Sequence, residues 1–232
     1  MKFSEFERIM SQKRMRRYVT ACGGDTRKAM TLYRYNLQIS QEMFTIISCF
    51  EVALRNGIDA CLKNTFGSSW LKDAIMPNGF LTGRNTVKTY DIIKHAYDKL
   101  VRDGDYSHDK LLSGLEFGIW KYMYSPVQYR ATQQVLLHVF PYKLRSTPEL
   151  HINQTYIFNE LDKINTLRNR IAHHEPICFP TGQSTIYTTY IINEYHKIQM
   201  LFSWMGIDSR AMLYGLDHVL LICRKIDELN NK

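Results

Sequence analysis

Apolar positions along the chain recur at intervals of three and four, the period of a helix face, and nowhere alternate as a half-buried strand requires. The longest run sets Phe44, Ile47, Phe50, Leu54, Ile58, Cys61, Leu62 and Thr65 on one stripe, with Gly67 closing it. Upstream, residues 11–22 read as a basic helix ended by Gly23-Gly24, and Asp25 stands where an N-cap should start the long helix. Pro77-Asn78-Gly79 and Asp103-Gly104-Asp105 mark turns on either side of a helix over residues 86–102. The segment from Ser113 to Trp120 is expected to open a further helix, and Pro141 to stop the run through Val135–Phe140. After Pro148 comes a helix that must end near Pro176, then two more over about residues 184–205 and 208–229. The latter carries Leu216, Val219, Leu220, Cys223 and Ile226 on one stripe. The pattern predicts an all-α fold.

Composition adds size and charge to this picture. The 232 residues are 45% hydrophobic and 22% charged, enough to bury a substantial core and unlike a disordered chain. A single domain over residues 1–232 is expected, with basic N-terminal helices over about 1–70, middle helices over about 85–145 and C-terminal helices over about 150–230. The net charge is +8, and residues 1–35 hold nine Lys/Arg against Glu5, Glu7 and Asp25. Such an excess points to a polyanion, RNA first among them, with Lys13, Arg14, Arg16 and Arg17 as phosphate contacts; a merely solvated basic face is the plain alternative. Five cysteines form no C-x-x-C pair, which argues against a zinc ribbon or a closed disulfide framework. The N-terminus lacks a signal-peptide core and no stretch approaches the roughly 20 apolar residues of a membrane span, so a cytoplasmic protein without a membrane partner is expected. No phosphate-binding glycine loop or nucleophile elbow is present, and no cofactor is expected.

Chemistry concentrates in Leu167-Arg168-Asn169-Arg170-Ile171-Ala172-His173-His174-Glu175-Pro176. On a helix Asn169 and His173 are four apart, so the amide can orient the imidazole. Arg168 lies about 140° from His173 around the axis, and the two converge only if the helix end distorts or a second chain shares the site. RNA cleavage by 2′-hydroxyl attack needs a base near neutral pKa, an acid for the leaving oxygen and a fixed cation; histidine and arginine supply these without a metal. Arg168, Asn169 and His173 are therefore the catalytic set, with Arg170 or His174 reaching phosphate. A salt-bridge network of Arg168, Arg170 and Glu175 with a capping His173 is the plain reading of the same residues. Adjacent residues on a helix diverge by about 100°, so His174 and Glu175 beside His173 do not make a metal site. Glu51, on the apolar stripe, needs a partner: Arg55 four residues on, or Arg168 or His173 as a support to the site. Leu54-Arg55-Asn56-Gly57-Ile58 echoes the motif, with Ala60 in the place of the histidine.

The chain resembles the Abi-like family, the abortive-infection proteins of the AbiD/AbiF group within the HEPN superfamily. The resemblance is carried by Arg17-Tyr18 with Gly23-Gly24-Asp25, Leu32-Tyr33-Arg34-Tyr35-Asn36, Phe50 through Asn56, Gly67-Ser68-Ser69-Trp70, Leu115 through Trp120, Phe140-Pro141 and, above all, Leu167 through Ile177. It implies a HEPN-type helical bundle with additional helices, a homodimer, and a metal-independent endoribonuclease in which Arg168, Asn169 and His173 form the site and leave a 2′,3′-cyclic phosphate. A phage-defence or toxin role follows, with an RNA or protein antitoxin as a further partner. A non-catalytic RNA-binding module, or a toxin held by its partner, is the alternative.

Overall fold

A computed structural model describes residues 1–230. Its elements, in order, are α1 (Phe3–Met10), α2 (Gln12–Ala21), α3 (Thr26–Phe66), α4 (Trp70–Asp73), α5 (Val87–Arg102), α6 (His108–Ser113), α7 (Phe117–Tyr122), α8 (Pro126–Ala131), α9 (Gln154–Ala172), α10 (Thr189–Trp204), α11 (Ser209–Met212) and α12 (Val219–Asn230). Short 3₁₀ turns cover Arg84–Thr86 and Val135–Val139, and the described residues contain no strand. The fold is all-α. No helix among the described residues is long and apolar enough to cross a membrane.

Local chemistry sets several boundaries. The Ser11 hydroxyl accepts from the Arg14 N–H at the start of α2, and Gly23 and Gly24 take positive φ (60° and 92°) after its end. Asp25 Oδ1 then accepts from the N–H groups of Arg27 and Lys28 at 2.9 and 3.0 Å, the side-chain cap that starts α3. These bonds, the Lys28 N–H foremost, hold the Asp25 carboxyl below the usual carboxylate range. At the far end of α3, Gly67 adopts φ 91°.

The chain forms two compact units, each assembled from separate segments. Among the described residues the first comprises 1–48, 166–200 and 209–230, the second 49–165 and 201–208, so that α3, α9 and α10 each contribute to both. In the first unit Met15, Leu32, Ile39, Met43, Leu167, Ile191, Val219 and Ile226 are fully buried. An aromatic chain runs through it: Phe6 meets Tyr33 edge-on at 5.4 Å, Tyr33 meets Tyr18 at 5.1 Å, and Tyr18 meets Phe179 at 5.2 Å. Tyr33 and Tyr18 are thus core residues. In the second unit Phe50, Leu54, Ile58 and Leu62 of α3 are fully buried, and Phe50 meets Phe202 at right angles, 5.2 Å between ring centres. A polar hub lies within this core: Asp59 Oδ1 accepts from Trp70 Nε1 (2.8 Å) and meets His108 Nε2 (2.7 Å), while Oδ2 pairs with Lys63 Nζ at 2.7 Å.

Several sequence expectations change. Phe44 is 43% exposed, because the buried stripe of α3 runs through Met43 and Ile47. Gly114 caps α6 at its C-terminus, so the helix holding Trp120 begins at Phe117 instead of Ser113. The helix expected over 184–205 starts at Thr189. The one expected over 208–229 is broken after α11, with Gly215 at φ 74°; Leu216 lies in the break and is exposed, Leu220 is exposed within α12, and Val219, Cys223 and Ile226 are buried. Helix α1, with Phe3, Phe6 and Met10 at helical spacing and Phe6 buried, precedes the helix expected from residue 11.

Candidate functional site

The motif helix α9 stays regular through Ala172, and the His173 N–H still reaches the Asn169 carbonyl at 2.9 Å. It then ends in a Schellman turn: the His174 N–H returns to the Ile171 carbonyl and the Glu175 N–H to the Arg170 carbonyl, at 2.9 and 2.8 Å. The pivot residue of such a turn is left-handed and normally glycine. Here it is His174, with φ 55°. Because the chain turns at this point, His173 and His174 escape the 100° divergence of helical neighbours.

Residues 173–188 contain no helix, so their backbone groups need partners from elsewhere. Asn36, a buried polar residue of α3, accepts from the N–H groups of Ile177 and Cys178 at 2.9 and 3.1 Å. Arg170 is buried, and its Nη2 donates to the carbonyls of Pro176 (2.8 Å) and Phe179 (2.9 Å). Its Nε lies 3.5 Å from the Glu175 carboxylate, and the guanidinium stands over the Tyr190 ring at 5.7 Å. Arg170 is thus an anchor for the loop, buried with its guanidinium engaged by these carbonyls. The Arg170–Glu175 part of the plain salt-bridge reading is present. Burial pushes the Cys178 thiol up to about 12, against the pull of the Arg17 and Arg170 guanidiniums, so it remains an unionised core group.

Helix α2 meets this turn. Arg14 Nη1 donates to the His174 carbonyl at 2.8 Å, and Arg17 donates to the Gln183 carbonyl while lying over the Phe179 ring at 5.2 Å. The result is an open cleft of about 290 Å³, lined by Ser11, Lys13, Arg14 and Arg17 and by His173, His174, Glu175 and Pro176. Two groups of residues separated by some 160 positions, singled out by charge and by motif, share one wall-to-wall site. Arg16 is exposed and outside it. Arg168 is half-buried and Asn169 exposed, and neither lines the cleft. Glu51 and Arg55 belong to the second unit; Glu51 is half-buried, and Arg55 Nε donates to Asn56 Oδ1 at 3.4 Å. Among the described residues no three His, Cys, Asp or Glu side chains are grouped as a metal site requires.

Asn36 and the left-handed His174 are the features that sequence reasoning missed. The first had a signal, an amide on the buried side of an apolar helix; the second had none short of the turn itself. The Abi-like protein family model matches residues 1–178, a span that takes in α1, α2, α3 and the whole motif turn. No curated protein and no solved structure matches the chain.

Proposed function

Because the chain belongs to the Abi-like protein family, we propose that it is an abortive-infection or toxin-type defence protein whose cleft binds RNA and cuts it without a metal. The observation that carries this reading is the meeting of Lys13, Arg14 and Arg17 with His173 and His174 in one cleft. Cations grouped in one cleft suit a phosphate backbone, and an imidazole beside them suits proton transfer at the same place.

In the proposed reaction His173 takes the proton of a ribose 2′-hydroxyl, and O2′ attacks the adjacent phosphorus. The P–O5′ bond breaks, the leaving O5′ gains a proton, and the products are a 2′,3′-cyclic phosphate and a 5′-hydroxyl. Asn169 holds the imidazole from one turn below. Arg168, outside the cleft of a single chain, acts in the homodimer, where two motif turns face each other; there it stabilises charge on phosphorus while the second His173 supplies the acid.

The test is cleavage of a mixed-sequence single-stranded RNA in EDTA, comparing the wild type with Arg168→Ala and His173→Ala. Both variants should lose about 10²-fold or more in rate, and the wild-type product should carry cyclic-phosphate ends. Intact RNA that still shifts on a gel, with affinity falling steeply as salt rises, would replace this with a non-catalytic RNA-binding module. Absence of RNA binding together with a stable hetero-complex would indicate a toxin held by a protein partner.

A further inference from the structure

We infer that a second cleft beside the motif turn is a nucleobase subsite, in which Phe44 stacks on a base flanking the phosphate held in the first cleft; this rests on the RNA reading above. The second cleft, also about 290 Å³, is lined by Ser40, Gln41 and Phe44 of α3 and by Ile171, Ala172 and His174. His174 lines both clefts, so one residue of the turn forms the ridge between them. A strand whose phosphate sits among Lys13, Arg14 and Arg17 therefore passes His174 directly into the second cleft.

The chemistry of the two clefts divides as the parts of a nucleotide do. The first presents three cations. The second has no Lys, Arg, Asp or Glu in its lining; it offers an aromatic ring, an amide and a hydroxyl, the groups that stack on a base and bond to its edge. Phe44 is 43% exposed although its neighbour Met43 is fully buried, so the ring does not serve the core. Isolated exposed aromatics are unremarkable; this one lines a concave site that adjoins the proposed point of cleavage. Gln41 is exposed and Ser40 half-buried, which leaves both open to a base edge.

Binding of an end-labelled, cleavage-resistant 2′-O-methyl RNA of mixed sequence tests the assignment, with a parallel series carrying one abasic residue at each position in turn. Phe44→Ala should weaken binding of the intact strand about ten-fold, in the range of a lost base stack, and Phe44→Trp should restore it. For the wild type, one abasic position should cost a similar factor, and that cost should vanish in Phe44→Ala. If Phe44→Ala binds the intact strand as the wild type does, the subsite is overturned while the RNA reading stands. If Phe44→Ala instead shifts the oligomeric state by sedimentation, with every abasic position costing the same as in the wild type, the face is a contact between copies and the inference fails. If the wild type binds no RNA, the RNA reading fails and takes the subsite with it.

Discussion

Leu54-Arg55-Asn56-Gly57-Ile58 and Leu167-Arg168-Asn169-Arg170-Ile171 begin alike and end as different things. In both, the outer apolar residues are buried, the arginine is half-buried and the asparagine is exposed. The first copy lies in the middle of α3, which continues to Phe66; its next two residues are Asp59, turned into a buried polar hub, and Ala60, exposed on the helix. The second copy stops almost at once. Its next two residues, Ala172 and His173, are exposed, and the left-handed His174 turns the chain across α2. What sets the second copy apart as a candidate site is where its helix ends, since the turn there brings His173 and His174 against the cations of α2.

The sharpest way to break that comparison is to give the first copy its histidine. His173→Ala should lower RNA cleavage by about 10²–10⁴-fold, the usual worth of a positioned proton-transfer group. Adding Ala60→His to that variant restores the Arg-x4-His spacing in the first copy, yet the rate should stay at the level of His173→Ala. Recovery of cleavage would show that spacing alone suffices and that the helix end is incidental.

Asp59 marks the next divergence. Its carboxylate satisfies Trp70 Nε1, His108 and Lys63 together, so Asp59→Ala strands buried partners and should cost about 3 kcal/mol of unfolding free energy, read from urea midpoints. Burial alone would raise its pKa, but the bonds from Lys63, His108 and Trp70 outweigh burial and leave the carboxyl below its ordinary value. The sign follows: the folded state binds the proton less readily than the unfolded chain. Stability from this group is therefore complete above the ordinary aspartate pKa and disappears as pH falls through the lower folded value. Asp59→Asn should flatten that acid limb. Ala172, the matching residue of the second copy, is exposed and should tolerate substitution within about 0.5 kcal/mol.

Gly57 and Arg170 differ by a whole side chain, and each has a local reason. A Cβ on Gly57 would lie 3.0 Å from Val139 Cγ1 and 3.3 Å from Met205 Cε, so the helix there is pressed against neighbours. Arg170 instead fills its place with a guanidinium that holds two carbonyls of the loop. Arg170→Met should cost about 2 kcal/mol, one unsatisfied carbonyl's worth or slightly more, since water reaches part of the loop once it loosens. Cleavage should fall with it, and Arg170→Lys should recover only part, because an ammonium lacks the planar fork.

Much of this was legible in the chain and some was not, for a consistent reason. The cap at Asp25, the glycines after α2 and α3, and the end of the motif helix are decided by a few adjacent residues, and these the sequence shows. Phe44 was placed on the core stripe because it keeps helical spacing with Ile47; the stripe runs through Met43 instead, and only packing distinguishes two adjacent apolar positions. The site was half legible. Charge marked α2 and the motif marked His173, but their meeting depends on Arg14 finding the His174 carbonyl across 160 residues, which no local pattern encodes. Arg170 looked like a phosphate contact for the same reason: its carbonyl partners follow it in sequence but reach it only through the turn.

The smallest effect is the most informative about the turn. Backbone preference alone would place the glycine at the left-handed position and the larger residue in the helix, yet the chain has Gly57 inside α3 and His174 at φ 55°. Close packing accounts for Gly57. Nothing in the backbone accounts for His174, whose left-handed conformation costs about 1–2 kcal/mol relative to glycine. Replacing it by glycine relieves that strain, while the greater freedom of glycine in the unfolded chain takes back about 0.4–1 kcal/mol. His174→Gly should therefore raise the urea midpoint by up to about 1 kcal/mol in free energy while weakening RNA binding or cleavage, because the side chain that lines both clefts is gone. A variant that gains stability and keeps full activity would mean that the histidine contributes nothing to the site and that only the turn matters. A variant that loses stability would mean that the imidazole is held by packing, and that the strain is repaid inside the fold instead of in function.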